Sequence, residues 1–304
     1  HPLAQRVRLV AMDLGPSFVK LGQIVSTRTD VLPLAWTVEL KKLQDEVSPL
    51  PASVIREAIE ASLGAELDSI YASFEETPLA AASIAQVHLA ELKTATGTEQ
   101  VVVKVQRPGI RNTVAGDLDL LHDLARLLER TIPEAKTYNP VALVEEFDRA
   151  MVAELDFLQE ADNLVRFRKN FESNPSVRFP AVHRDATSKS ILTLERLPGK
   201  KVYDAIREDG ISGEAIAKAS VAVVIKMILE DGFFHADPHP GNILISGTPE
   251  APVLGLIDVG MVGRLSPEMR DRCLDLMVAI VRSDHEAIAD RSEERRVGKE
   301  CRSR

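Results

Sequence analysis

The sequence predicts an α+β protein of two lobes preceded by a helical extension, and three observations predict it. Two runs of strand-like alternation, Ile84 to Leu92 and Val101 to Val105, meet across a turn at Gly97 and are embedded among long helical patterns. A break at Leu197-Pro198-Gly199 then follows the strand pattern Ile191 to Glu195, the form of a hinge between lobes. Beyond it, a helix leads into the loop His235 to Asn242, two short strands (Ile243 to Ile245 and Val253 to Ile257) and Asp258-Val259-Gly260. The expected division is a helical extension over 1–65, a first lobe with a helical insertion over 66–197, part of a second lobe over 198–290, and a tail over 291–304.

In chain order, Val7, Val10, Ala11 and Leu14 repeat at helical spacing, and Gly15-Pro16 punctuates. Ser17 is placed to cap a second helix carrying Phe18, Leu21 and Ile24. Lys20 and Gln23 share a face of that helix and by themselves read as solvated. Trp36 to Leu43 makes another helix, Ser48-Pro49-Leu50-Pro51 a linker, and Ser53 to about Leu63 a further helix. The stretch Pro78-Leu79-Ala80-Ala81-Ala82-Ser83 is small and flexible. It lies one strand ahead of Val101-Val102-Val103-Lys104-Val105, which sets a lysine inside an apolar strand. Such a lysine is either an edge-strand gatekeeper or a buried cation held by a carboxylate and a ligand anion.

Asp117 to Glu129 is helical, with Leu120, Leu121, Leu124, Leu127 and Leu128 expected as a core stripe. After Pro140 a longer helix buries Val144, Phe147, Met151, Leu155 and Leu158. At about 100° per residue, Asp156, Glu160 and Asn163 fall in one sector, and Glu154 falls nearly opposite unless the helix bends or starts there. An acidic helix face is ordinarily solvated, but here one of its carboxylates is a natural partner for Lys104. Ser212 caps a mostly buried helix through Leu229, and a last amphipathic helix (Leu274, Met277, Val278, Val281) runs to about Arg282. From Arg291 the pattern loses all apolar periodicity and reads as translated sequencing adapter, with the native chain expected to continue past Asp290.

The bulk numbers narrow the function classes. A net charge of −9 over 304 residues argues against a general nucleic-acid binder. Of two cysteines only Cys273 lies in a foldable segment, which excludes a disulfide framework or a zinc ribbon. No apolar run approaches the roughly 20 residues that span a bilayer.

The chemistry concentrates in His235-Ala236-Asp237-Pro238-His239-Pro240-Gly241-Asn242 and Asp258-Val259-Gly260. Asp237 and Asn242 have the D-x-x-x-x-N separation of the protein-kinase catalytic loop, and Asp258-x-Gly260 stands where that fold keeps its metal-binding D-x-G. In phosphoryl transfer one carboxylate faces the attacking group, while an amide oxygen and a second carboxylate hold magnesium on the phosphates. Pro238 and Pro240 forbid helix and stiffen the loop. Each piece alone matches common turn chemistry, and His235, Asp237 and His239 could instead form a metal cluster. The two pieces together, joined by a hairpin, favour a phosphate–magnesium site.

The order of parts resembles the UbiB/AarF group of atypical kinase-like proteins, associated with ubiquinone and other prenyl-lipid metabolism. The resemblance runs from about Asp13 to Leu265. It rests on Lys20-Leu21-Gly22-Gln23 (the family's K-x-G-Q), the alanine-rich loop Ala80 to Gln86, Lys104, Glu154-Leu155-Asp156 (its E-x-D), Glu160 and the His235 to Asn242 loop. It implies a two-lobed protein-kinase-like fold, a C-terminal lobe cut short, and a K-x-G-Q extension packed over the active site. Lys20 would contact Glu154 and Asp156, which predicts a helix irregularity near Glu154, and Gln23 would belong to the same lid. Ala80, Ala81, Ala82 and Ser83 would hold the nucleotide from above. Lys104, paired with Glu160, would orient the α- and β-phosphates; Asn242 and Asp258 would ligate Mg2+, and Asp237 would face the attacking group. Val259 departs from the phenylalanine that kinases and many relatives carry.

The resemblance further implies ATP or ADP with magnesium as ligands, slow ATP hydrolysis rather than protein phosphorylation, and a membrane bearing prenyl lipids or quinone precursors. That membrane would be met at the cytoplasmic face of a bacterium or its organellar equivalent, with ubiquinone-biosynthesis enzymes as partners. A nucleotide-gated scaffold for those enzymes, a pseudokinase, uses the same ligands. A metal-dependent hydrolase on His235, Asp237 and His239 and a true protein kinase are the further alternatives.

Overall fold

A computed structural model describes residues 2–26, 32–43, 47–132, 137 and 139–284. The expected non-native tail therefore lies outside the described residues. The chain divides into two compact units: 1–165 with 180–196, and 166–179 with 197–304. The expected boundary at 197/198 had counted 166–179 with the first lobe, whereas that segment groups with the second.

The first unit opens with α1 (Leu3–Leu14), α2 (Pro16–Ser26), α3 (Leu34–Leu40), α4 (Ala52–Leu63) and α5 (Leu67–Ile70). The sheet strands β1 (Tyr71–Phe74), β2 (Ala80–Ala81), β3 (Ala85–Thr94) and β4 (Gly97–Gln106) follow. Next come α6 (Ile110–Thr131), α7 (Pro140–Glu154) and α8 (Phe157–Asn170), of which residues from Arg166 onward belong to the second unit. After β5 (Val177–Arg178), a second-unit strand, β6 (Ile191–Glu195) returns to the first. All its pairings are antiparallel, in the order β1-β3-β4-β6 with β2 also on β3. Period-2 alternation divides β4 cleanly. Val101, Val103 and Val105 are fully buried and pack with Ile55 and Ile59 of α4, which leaves Lys104 on the opposite face. Burial also pushes the Tyr71 hydroxyl up to about 12, although it bonds Thr193.

Three sequence expectations need correction here. Ser17 does not cap α2. The helix already starts at Pro16, and the Ser17 hydroxyl, wholly buried, donates to Asp117 Oδ2 at 2.5 Å. The leucine stripe of α6 is not core as a whole: Leu121 is buried with Leu118 and Ala125, but Leu120, Leu124 and Leu127 are exposed. At about 100° per residue these three centre roughly a third of a turn from the buried row, so the stripe merged two sectors.

The second unit adds β7 (Lys200–Lys201), α9 (Val202–Glu208), α10 (Gly213–Ile225), β8 (Phe233–His235), β9 (Ile243–Gly247), β10 (Pro252–Leu256), β11 (Val262–Arg264) and α11 (Pro267–Val281). One sheet runs β5-β10-β9-β7, parallel only between β5 and β10, and β8 pairs with β11 in a second. Ser212 caps α10 as expected, accepting from the Ala215 amide at 3.3 Å. The helix is not mostly buried, which is the third correction: only Ile216 and Val223 are, while Val221 and Ile225 are exposed. It becomes a π-turn over Lys226–Glu230. Glycine is required at Gly199, since a Cβ there would lie 2.7 Å from the Ile245 carbonyl oxygen on a backbone already at φ +131°.

Candidate functional site

In the first unit the lysine-in-a-strand reading resolves to a partly buried lysine paired with a buried carboxylate. Lys104 Nζ donates to Glu160 Oε2 at 2.9 Å, with Glu160 only 4% exposed, and the ammonium sits 5.1 Å over the Phe157 ring. Glu160 arrives there because the helix breaks. α7 ends at Glu154, Leu155 closes it, and Asp156 caps α8 by accepting from the Leu158 amide at 3.1 Å. Glu160 and Asn163 then share the buried face of α8. The irregularity expected near Glu154 is this break. Glu154, at the end of α7, receives Lys20 Nζ of α2 at 2.8 Å.

The other residues of the Lys-Leu-Gly-Gln run have local reasons too. A Cβ at Gly22 would come within 2.3 Å of Leu43, so glycine lets α2 lie close to that segment, and Gln23 Nε2 donates to the Leu43 carbonyl at 3.3 Å. The alanine-rich stretch is stitched down rather than loose. Ala80 and Ala81 pair with Val87 and Gln86, and the Ala82 amide donates to the Ala85 carbonyl at 2.8 Å. Ser83 is buried.

In the second unit the loop is shaped by its own backbone. Pro240–Asn242 forms a turn of 3-10 helix, the Asn242 amide donates to the His239 carbonyl at 2.9 Å, and the His239 imidazole Nδ1 accepts from the Gly241 amide at 3.0 Å. Asp237 is exposed. The β9–β10 hairpin ends with the Ile257 amide donating to the Asn242 carbonyl at 3.1 Å, which sets Asn242 and Asp258 at its open end. Asp258 Oδ1 accepts from the Gly260 amide at 3.2 Å, turning the chain, and Val259 is fully buried. Asn242 and Asp258 offer an amide oxygen and a carboxylate, all-oxygen donors that suit a hard cation such as magnesium.

His235 fits a structural role better than a ligand role. It is buried, with Nδ1 3.3 Å from both the Met261 carbonyl and the Asp237 amide. Burial lowers its pKa, against the Met261 carbonyl and the carboxylates of Asp258 and Asp237, which raise it. Among the described residues no group of three or more His, Cys, Asp or Glu could hold a metal, which removes support from the His235–Asp237–His239 hydrolase. No described helix is long and apolar enough to cross a membrane.

Several contributors were not singled out from sequence. Asp117 is visible only as Ser17's partner. Arg107, Gln86 and His88 sit in strand and turn text whose spacing marks none of them.

A sheet-bearing unit with a lysine–glutamate pair and a second unit with D-x-x-x-x-N and D-x-G elements define a kinase-like α+β protein. A family model described as the ABC1 atypical kinase-like domain matches residues 42–292, and the chain belongs to that family. The probable protein kinase UbiB of Pseudomonas aeruginosa is 41% identical over 287 residues, covering 93% of this chain and 53% of its own. Its namesake in Marinobacter nauticus is 40% identical over 287 residues, covering 93% and 52%. The chain thus spans about half the length of the curated relatives it matches. Among solved structures, the complex of Rv3197 with erythromycin from Mycobacterium tuberculosis aligns with a TM-score of 0.64 at 26% identity, over 94% of this chain and 71% of that one.

Proposed function

We propose that this chain binds ATP or ADP with magnesium and supports slow ATP hydrolysis in ubiquinone or related prenyl-lipid biosynthesis, rather than phosphorylation of proteins. The observation that carries the reading is the Lys104–Glu160 pair at 2.9 Å, a cation fixed on a strand by a helix carboxylate. The setting of Asn242 and Asp258 at one hairpin end supports it independently. Lys104 would bind the α- and β-phosphates with Glu160 fixing its direction. Asn242 and Asp258 would hold magnesium, which when bound supplies charge neutralisation along the phosphates. Asp237 would orient the attacking group and take its proton. Ala80 to Ser83 would cover the nucleotide, and their hydrogen bonding to β3 favours a stiff cover over a mobile one. Lys20 held by Glu154 favours the extension acting as a lid, the feature that argues against protein substrates.

The membrane setting and the ubiquinone-pathway partners come to this chain from its relatives' family alone. The test is the melting temperature of the protein with ADP or ATP, with and without magnesium. Ligand at a hundredfold its Kd stabilises by about 2.7 kcal/mol. Asp258→Asn should remove the magnesium-dependent part of that shift, and an unchanged shift in the variant would sink Asp258 as a metal ligand.

A further inference from the structure

Arg107 follows β4 in the turn Gln106-Arg107-Pro108-Gly109 and makes three hydrogen bonds to two separate segments. Its amide donates to the Ile84 carbonyl at 2.9 Å, Nε donates to the Ala82 carbonyl at 2.9 Å, and Nη2 donates to the Ser48 carbonyl at 2.9 Å. Ser48 belongs to the linker between α3 and α4. That linker is itself bonded to the same region: the Val47 amide donates to the Ala81 carbonyl at 3.3 Å, and the Leu50 amide donates to Gln86 Oε1. Pro49 and Pro51 stiffen the linker, and Leu50 packs on the core beneath the sheet. The alanine-rich loop therefore has the carbonyls of Ala81 and Ala82 both held from outside, one by the linker and one by the arginine that also holds the linker.

We propose that Arg107 is a positioning residue for nucleotide binding, a splint that fixes the alanine-rich loop against the 47–50 linker and so ties the loop's shape to the helical extension. The proposal rests on the nucleotide reading above and adds a residue to it. Its chemistry is specific to arginine. A planar guanidinium presents donors along two edges and spans two carbonyls at once, whereas a lysine ammonium is a point charge on a flexible stem. A loop without glycine gains nothing from intrinsic backbone freedom. The direction of any amide it offers to phosphate is set by what holds its carbonyls.

The experiment compares the intact chain with Arg107→Ala and Arg107→Lys, below the melting temperature of all three. The readouts are the Kd for MgADP and, without nucleotide, amide hydrogen exchange across 47–50 and 79–86. Both variants should lose protection at Val47 and Leu50 and weaken MgADP by about tenfold or more, the scale of losing hydrogen bonds from a charged donor. Lysine should rescue no better than alanine. A lysine variant that binds as tightly as wild type, or exchange left unchanged in both segments, overturns the splint while leaving the nucleotide reading intact. A wild-type chain indifferent to MgADP sinks the nucleotide reading, and the positioning role with it.

Discussion

The candidate residues of the two units are set out on opposite plans. Lys104 and Glu160 stand on a strand and a helix, the glutamate buried and the lysine partly so beside Phe157, and the two are paired with each other. Asp237, Asn242 and Asp258 stand on a proline-stiffened loop and a hairpin end, shaped by backbone hydrogen bonds rather than by packing, with Asp237 exposed. The difference teaches where mutations should register. Changes at the first unit's pair should disturb folding and binding together, because a buried paired carboxylate is also part of the core. Changes in the second should disturb chemistry and leave the fold alone.

The largest expected effect lies in the loop. Asp237→Asn should keep nucleotide affinity and the melting temperature near wild type while ATP hydrolysis falls by about 10³-fold, as removal of a key catalytic group typically does. A normal rate in the variant would remove Asp237 from the chemistry. Cellular prenyl-lipid output in the same variant decides between hydrolysis and a nucleotide-gated scaffold. Output that survives the loss of turnover favours the scaffold.

Next in size is the buried pair. Lys104→Met leaves a carboxylate that is 4% exposed without its lysine, and removing one partner of such a pair costs about 3 kcal/mol. Lys104→Met with Glu160→Leu should recover much of that loss while remaining unable to bind nucleotide. Chemical denaturation of the single and double variants measures it, and additive losses would show that the two residues are not coupled.

How much of this was legible in sequence follows the same division. The loop residues could be picked out directly as candidates, because Asp237, Asn242 and Asp258 are marked by spacing along the chain and the hairpin between them is local. The partner of Lys104 could not be read from the residue pattern alone; the family resemblance named Glu160, and the pair is there at 2.9 Å. The residue pattern put two carboxylates, Asp156 and Glu160, in one sector, and the break after Glu154, with Asp156 capping the next helix, directs Glu160 inward. Lys20 and Gln23 read as solvated because their partners, Glu154 and the Leu43 carbonyl, are distant in sequence or belong to the backbone. The exposed leucines of α6 fail for a related reason: periodicity reports that a helix has an apolar face, not which sector a neighbour covers.

The smallest effect tests each unit through its own buried histidine. In the first unit the Leu50 amide donates to Gln86 Oε1, Gln86 Nε2 donates to His88 Nε2 at 3.3 Å, and His88 Nδ1 meets the Glu75 carbonyl at 2.8 Å. That chain needs a neutral imidazole, since a proton on Nε2 would oppose the amide donor of Gln86. Burial lowers the pKa of His88, partly offset by the Glu75 carbonyl, and burial likewise lowers that of His235. The unfolded chain takes up these protons near the ordinary value of 6.5 while the folded protein does not. Stability should accordingly be flat above about 6.5 and fall as the pH drops toward the lower folded-state values, because the unfolded state then binds more protons. Denaturation midpoints from pH 7.5 to 5 should show that fall, and His88→Gln and His235→Gln should each flatten part of it whatever they do to stability at pH 7.5. If the slope persists undiminished in both variants, the acid sensitivity lies in carboxylates and neither buried imidazole is held neutral by its surroundings.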